Sequence, residues 1–124
     1  MSHNITIYLV SLFAYVGIDY VWLNFAAKKF YQEHIPDLKI NFQAGIVVYL
    51  LGALLMTVFL APKVAGKGVM ESFLWGALLG ALVYGIYDFT NLATLKHWSL
   101  KLSIIDMLWG TFAFGILGII LSKL

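Results

Sequence analysis

Four long apolar segments, separated by short polar connections, make up most of the chain. We place them at residues 5–27, 43–61, 72–95 and 102–122. Each is close to the roughly 20 residues that a helix needs to cross about 30 Å of hydrocarbon. The pattern predicts an all-α integral membrane protein, a four-transmembrane-helix bundle in which residues 1–124 form a single transmembrane domain.

Composition supports a membrane protein. The chain is 62% hydrophobic and only 11% charged, whereas soluble domains average about 25% charged residues. A small soluble domain has too much surface for its volume to hide so many apolar side chains. The net charge of +2 is small and its carriers lie at helix ends. The lipid bilayer is therefore the expected partner, and nucleic acid is not.

Lysines at the predicted helix ends indicate an orientation. One side, side A, carries five lysines and the other, side B, carries three, namely Lys28, Lys29, Lys39, Lys96 and Lys101 against Lys63, Lys67 and Lys123. The positive-inside rule makes side A cytoplasmic. Both termini then lie on the non-cytoplasmic side. Because the bias is modest, insertion in both orientations stays an open alternative.

Two connections carry local signals. Residues 28–42 form the long connection, where Tyr31, Phe42 and other apolar residues alternate with charged ones. We expect this connection to lie along the membrane interface. Pro62 is predicted to end the second span, because proline cannot donate the next helical hydrogen bond.

Three aspartates, Asp19, Asp88 and Asp106, lie inside the predicted spans. A carboxylate at a helix centre costs at least roughly 2.5–3.5 kcal/mol, so such residues usually face a protein interior or a wet cavity and mark a functional site. Counting about 1.5 Å per residue from the side A lysines places all three in the same half of the membrane. We therefore expect a polar pocket that opens toward side A.

Helix periodicity gives each aspartate candidate partners, because residues three or four apart share a face. The candidate ligand- or proton-binding residues are Asp19, Asp88, Asp106, Asn91, Tyr84, Tyr15, Trp22, Trp109 and Asn24. Tyr49 falls at a compatible depth. Gly76 and Gly80 continue the stripe of Tyr84 at four-residue spacing and predict close helix contact. A Tyr-x-x-x-Asp pattern occurs in both the first and the third spans, which is a weak internal echo.

The charges of this cluster suggest a chemistry. The chain has no arginine, and no lysine lies at the depth of Asp19 or Asp88. Ionised carboxylates held close together repel, and burial favours their neutral forms. At least one aspartate should then be protonated at pH 7 unless a cation binds, which favours proton- or cation-linked transport or small-ligand binding. Oxygen ligands would suit Mg²⁺ or Ca²⁺ better than zinc, but no known metal motif is present. We predict no metal site and assign no cofactor.

Other functions stay open. The aspartates could hold helices together by hydrogen bonds, with Trp22 and Trp109 as packing partners in a structural or assembly subunit. A membrane-lipid-modifying enzyme, or its accessory subunit, would use the carboxylates as general acid and base. The lack of a recognisable nucleophile or phosphate cradle argues mildly against an enzyme. Under the transport hypothesis we expect a homodimer, because four short helices rarely enclose a full pathway. The ligand itself, a lipid or another small molecule, is not specified.

Three stretches carry a family resemblance: DYVWL at 19–23, YDFTNLATL at 87–95 followed by Trp98, and DMLWG at 106–110. With them the chain resembles the domain-of-unknown-function 2177 family of bacterial four-helix membrane proteins. The resemblance covers almost the whole chain. It implies a multi-pass protein of the bacterial inner membrane, and it supplies no established activity or substrate.

Overall fold

The structure is a computed structural model that describes residues 2–24, 28–34 and 41–124. All of its regular elements in these ranges are helical. They are α1 (Ser2–Trp22), α2 (Lys28–His34), α3 (Phe42–Leu55), a π-helical turn (Met56–Leu60), α4 (Ala61–Val64), α5 (Val69–Thr94) and α6 (Leu100–Ser122).

Four helical segments are long and apolar enough to cross a membrane. They are His3–Trp22, Phe42–Val64, Val69–Thr94 and Leu100–Ser122. The prediction of an all-α, four-span membrane fold is confirmed. The predicted extension of the first span through residues 25–27 lies outside the described residues.

The prediction that Pro62 ends the second span is wrong. The helix continues through Pro62 to Val64, and the proline lies in the first turn of α4. Proline has no N–H to continue the pattern of bonds to the fourth preceding carbonyl. The π-helical turn stands directly before α4 and changes that spacing, as single π turns do inside longer helices. The apolar segment can therefore include the proline without a break.

Part of the long connection, which we expected to lie along the membrane interface, is helical. Residues 28–34 fold as the short helix α2, and α3 already begins at Phe42. Asn41 caps α3, because its side-chain oxygen accepts a hydrogen bond from the Ala44 N–H at 3.1 Å. Such a cap satisfies one of the N–H groups that a helix start leaves unpaired. The remaining residues of the connection, 35–40, lie outside the described ranges.

Helices α5 and α6 pack backbone to backbone. A Cβ atom at Gly76 would overlap the carbonyl oxygen of Phe114, and one at Gly80 would overlap that of Gly110. Only glycine permits this approach. The close helix contact predicted for Gly76 and Gly80 is confirmed, and it follows the small-residue rule for helix pairs in membranes.

The bundle is packed tightly at one end and less tightly at the other. Helix α6 contacts α1, α4 and α5, whereas α3 packs mainly against α1. The π-helical turn and α4 bring the second span against α5 and α6. The core at this end includes Met56, Leu60, Val64, Phe114, Leu117 and Leu121. At the other end α3 and α5 diverge, and this is where the predicted polar residues lie.

Candidate functional site

A cavity of about 320 Å³ lies at the end of the bundle where α3 and α5 diverge. Its walls are mainly aromatic, with two carboxylates and an aliphatic edge. The aromatic residues are Tyr15, Trp22, Tyr31, Tyr84 and Tyr87, the carboxylates are Asp19 and Asp106, and the aliphatic residues are Leu23, Val48 and Val83. Five of the nine candidate residues from the sequence line this cavity, and Trp109 donates a hydrogen bond to one of them, Asp19.

Asp19 is held by donors from two other spans. The Tyr49 hydroxyl donates to Oδ2, and the indole Nε1 of Trp109 donates to Oδ1 at 3.3 Å. Trp109 is in turn stacked on Trp22, with ring centroids 4.6 Å apart and planes within 7° of parallel. Each carboxylate oxygen therefore has a donor, and the stack fixes the indole that supplies one of them.

Asp106 is held by α2. The Tyr31 hydroxyl donates to its Oδ1, and the carboxyl group is only 7% exposed. Burial, and then the negative charge of Asp106, raise the pKa of the Tyr31 hydroxyl. Tyr31 therefore stays protonated and remains a donor over the physiological range. This contact ties α2 to α6 at the edge of the cavity.

Asp88 differs from the other two aspartates, because its side chain is fully buried. Neither of its carboxyl oxygens accepts a hydrogen bond from a donor among the described residues. Its carboxyl group interacts electrostatically with that of Asp106. Two carboxyl groups can bond to each other only if one of them keeps its proton, because an ionised carboxylate is an acceptor only.

The backbone around Asp88 is fixed by the start of α6. The Ser103 hydroxyl reaches the Asp88 carbonyl oxygen at 3.3 Å, and it accepts from the Trp98 indole at 3.0 Å. Ser99 caps α6 by accepting from the Leu102 N–H at 3.0 Å. These contacts fix the position of Asp88 along the axis of α5 relative to that of Asp106 along α6.

Two tyrosines join the echoed motifs of the first and third spans. The hydroxyl oxygens of Tyr15 and Tyr84 lie 2.6 Å apart and share a hydrogen bond. Both rings meet Phe114 edge-on, with centroid distances of 5.4 and 5.8 Å. The Tyr84 ring also lies directly over Gly110, where a Cβ atom would overlap it. The small residue after Asp106 thus gives Tyr84 its place in the cavity wall.

Two predicted candidates lie away from the cavity. Asn24 is exposed, and its amide donates to the Tyr20 carbonyl oxygen one turn earlier at 2.9 Å. Asn91 interacts with Tyr87 but does not line the cavity. Sequence reasoning gave less weight to Tyr31 and Tyr49, which supply donors to two of the aspartates. The depth of Tyr49 along its helix indicated that it could reach the aspartates. The sequence around Tyr31 gave no sign that this side chain would contact α6.

The three aspartates do not form a metal site within the described residues. No group of three or more His, Cys, Asp or Glu side chains there is placed to hold a metal ion. Over the same ranges, the ion pair that forms is the exposed one between Lys67 and Glu71, at 4.0 Å. The carboxylates that line the cavity accept hydrogen bonds from hydroxyl and indole donors.

These features define a multi-pass helical membrane protein with a carboxylate-containing cavity at one end of the bundle. A family model described as "Predicted membrane protein (DUF2177)" matches residues 4–121, nearly the whole chain. The chain belongs to this family. Comparisons with curated proteins and with solved structures found no match.

Proposed function

We propose that this protein binds a small ligand in the cavity and couples that binding to a proton held between Asp88 and Asp106. Transport across the bacterial inner membrane is the process that such coupling would serve. The observation that supports this most is the state of Asp88. It is a fully buried carboxyl group with no donor among the described residues, and it interacts electrostatically with a carboxyl group that lines the cavity.

A purely structural role explains Asp88 poorly. Asparagine in its place would bring donors as well as an acceptor and would avoid the charge cost, which is roughly 2.5–3.5 kcal/mol or more at a helix centre. A carboxyl group that must lose and regain a proton cannot be replaced in this way. Because Asp106 lines the cavity and interacts electrostatically with Asp88, a charge that arrives in the cavity acts on the proton that we assign to this pair.

The orientation and assembly of the protein belong to this proposal. The five-to-three lysine bias favours a cytoplasmic side A, with both termini on the non-cytoplasmic side. Within one chain, the packed core at the α4 end separates the cavity from the opposite face. We therefore propose a homodimer as the transporting unit. A strictly monomeric particle by light scattering, in detergent and in lipid nanodiscs, would remove the dimer from the proposal.

Infrared difference spectroscopy tests the proton-holding pair. At pH 7 the wild-type protein should show the C=O band of a neutral carboxylic acid, and Asp88→Asn should remove that band while the protein stays folded. Glu71→Gln is the matched control, because it removes an exposed carboxyl group far from the cavity. Absence of the band from the wild-type protein, or its survival in both Asp88→Asn and Asp106→Asn, would overturn the proposal.

A further inference from the structure

We propose that the cavity binds a monovalent organic cation that carries apolar groups, with the Asp19 carboxylate as its counter-ion and the aromatic side chains as its walls. This inference rests on the proposed function, and it adds the chemical class of the ligand. It follows from the charge of the cavity, from the nature of its walls and from its aliphatic edge.

The cavity is lined by negatively charged groups without a positively charged one among its described residues. Asp19 and Asp106 line the cavity, and no lysine or histidine is among its described lining residues. Asp19 accepts from a hydroxyl and an indole, neither of which carries a charge. A half-buried carboxylate without a cationic partner is costly, and a bound cation is the partner that removes the cost. A second indicator is Asp88, a fully buried carboxyl group that has no donor among the described residues and interacts electrostatically with Asp106.

The walls favour an organic cation. Five aromatic side chains line the cavity, and aromatic faces attract cations by about 0.5–2 kcal/mol each, most strongly where water is excluded. The stacked pair of Trp22 and Trp109 lies beside Asp19. The aromatic rings and the proposed counter-ion are therefore adjacent. The volume of about 320 Å³ lies at the lower end of the range for small-molecule sites, roughly 300–1,000 Å³.

A metal ion fits this lining less well. Hard divalent cations require six or more oxygen ligands at short distances, and the described aspartates do not converge on such a geometry. A quaternary or substituted ammonium ion needs no such ligand shell. It requires negative charge nearby and polarizable surface around it, and the cavity supplies both.

The aliphatic edge indicates apolar substituents. Leu23, Val48 and Val83 form this part of the lining. Val48 is 55% exposed and belongs to a helical segment that is long and apolar enough to cross a membrane. A ligand with its charge at Asp19 would thus place its apolar groups against this edge.

Binding of a cation should release one proton from the Asp88–Asp106 pair. The Asp88–Asp106 pair holds one proton when the cavity is empty. A cation in the cavity favours the doubly ionised form of the pair, because an opposite charge nearby stabilises a carboxylate. One proton therefore leaves the pair for each cation that binds, and it returns when the cation leaves.

Binding of three probes tests the ligand class. The protein is purified in an uncharged maltoside detergent and titrated with phenyltrimethylammonium, with its uncharged isostere tert-butylbenzene and with the anion benzenesulfonate. Binding is read from tryptophan fluorescence, with Trp22 and Trp109 at the site, and by calorimetry. Proton release is measured in weakly buffered solution. We expect saturable binding of phenyltrimethylammonium with proton release, and binding of the other two probes at least about tenfold weaker.

Variants test the counter-ion. Asp19→Asn should weaken binding of phenyltrimethylammonium by about tenfold or more, Asp19→Glu should restore much of it, and Glu71→Gln should leave it unchanged. Thermal unfolding and far-ultraviolet circular dichroism establish that each variant is folded. If Asp19→Asn does not fold, two measurements still test whether Asp19 is the counter-ion. They are the comparison of Asp19→Glu with the wild-type protein and the binding of the three probes.

Any of the following results would overturn the inference. Equal binding of tert-butylbenzene rejects a cationic ligand, yet it leaves small-ligand binding in the cavity intact. Absence of phenyltrimethylammonium binding, with the neutral carboxyl band present, rejects the ligand class but not the proton-holding pair. Undiminished binding to a folded Asp19→Asn protein rejects Asp19 as counter-ion. Failure of the proposed function has a different signature, namely the absence of the infrared band from the wild-type protein or its survival in both Asp88→Asn and Asp106→Asn.

Discussion

Replacing Gly76 with alanine tests the contact between α5 and α6. The added Cβ would overlap the carbonyl oxygen of Phe114 and would lie 3.0 Å from the Cα of Gly115. Both obstacles are backbone atoms, so no side-chain rotation can relieve the overlap. The two helices must move apart instead, and that movement weakens the contact along the whole row from Gly76 to Gly80.

The size of the effect follows from two opposing terms. Overpacking of a close-packed interior costs about 1–3 kcal/mol, and the backbone overlap places Gly76→Ala near the upper end. Alanine regains about 1 kcal/mol in helix propensity, which leaves a net loss near 2 kcal/mol. Gly17→Ala is the control, because nothing lies within 4 Å of a Cβ at Gly17. It should be neutral or stabilise the protein by up to about 1 kcal/mol.

Equilibrium unfolding in mixed micelles of sodium dodecyl sulfate and a neutral detergent, followed by circular dichroism, measures both variants. The free energies of unfolding of Gly76→Ala and Gly17→Ala should differ by about 2–3 kcal/mol. Equal stabilities, within about 0.5 kcal/mol, would refute the claim that α5 and α6 touch through their backbones at this position.

Two further predictions concern the tyrosine pair and the topology. A double-mutant cycle of Tyr15→Phe and Tyr84→Phe should give a coupling energy of about 1 kcal/mol, because both single variants lose the same hydrogen bond; additive effects would contradict a direct bond between the hydroxyls. Single cysteines in place of Ser2, Gly66 and Ser122 should all react with a membrane-impermeant thiol reagent from the non-cytoplasmic side, and labelling of Gly66 from the side opposite to both termini would reject the four-span alternation.

The fold was accessible from the sequence because hydrophobic length is a strong local signal. A run of apolar residues specifies a span by itself, and the glycine spacing of Gly76 and Gly80 indicated which face would meet another helix. The end of the second span was misjudged at Pro62, because a π-helical turn can accommodate a proline that local rules treat as a stop. That adjustment depends on packing against α1 and α6, which no single segment encodes.

The candidate site could be predicted only in part. Intramembrane carboxylates stand out in any sequence, so Asp19, Asp88 and Asp106 were identified. The different surroundings of the three aspartates were not predicted, because their hydrogen-bond donors come from distant parts of the chain. Tyr31 lies 75 residues from Asp106, and Trp109 lies 90 residues from Asp19. Helix periodicity reports on neighbours along one helix, and it carries no information about such pairs.

The glycine contact between α5 and α6 also bears on the order in which the protein assembles. The two helices are joined by a short connection, and Ser103 and Asp88, which link them, are only 15 residues apart. Tyr15 and Tyr84 are separated by 69 residues. Because closing a short loop costs less entropy than closing a long one, we expect α5 and α6 to form a helical hairpin early. The cavity then appears only in the last step, when α1 docks onto that hairpin, so slowed or incomplete docking would yield a membrane-inserted protein without a binding site.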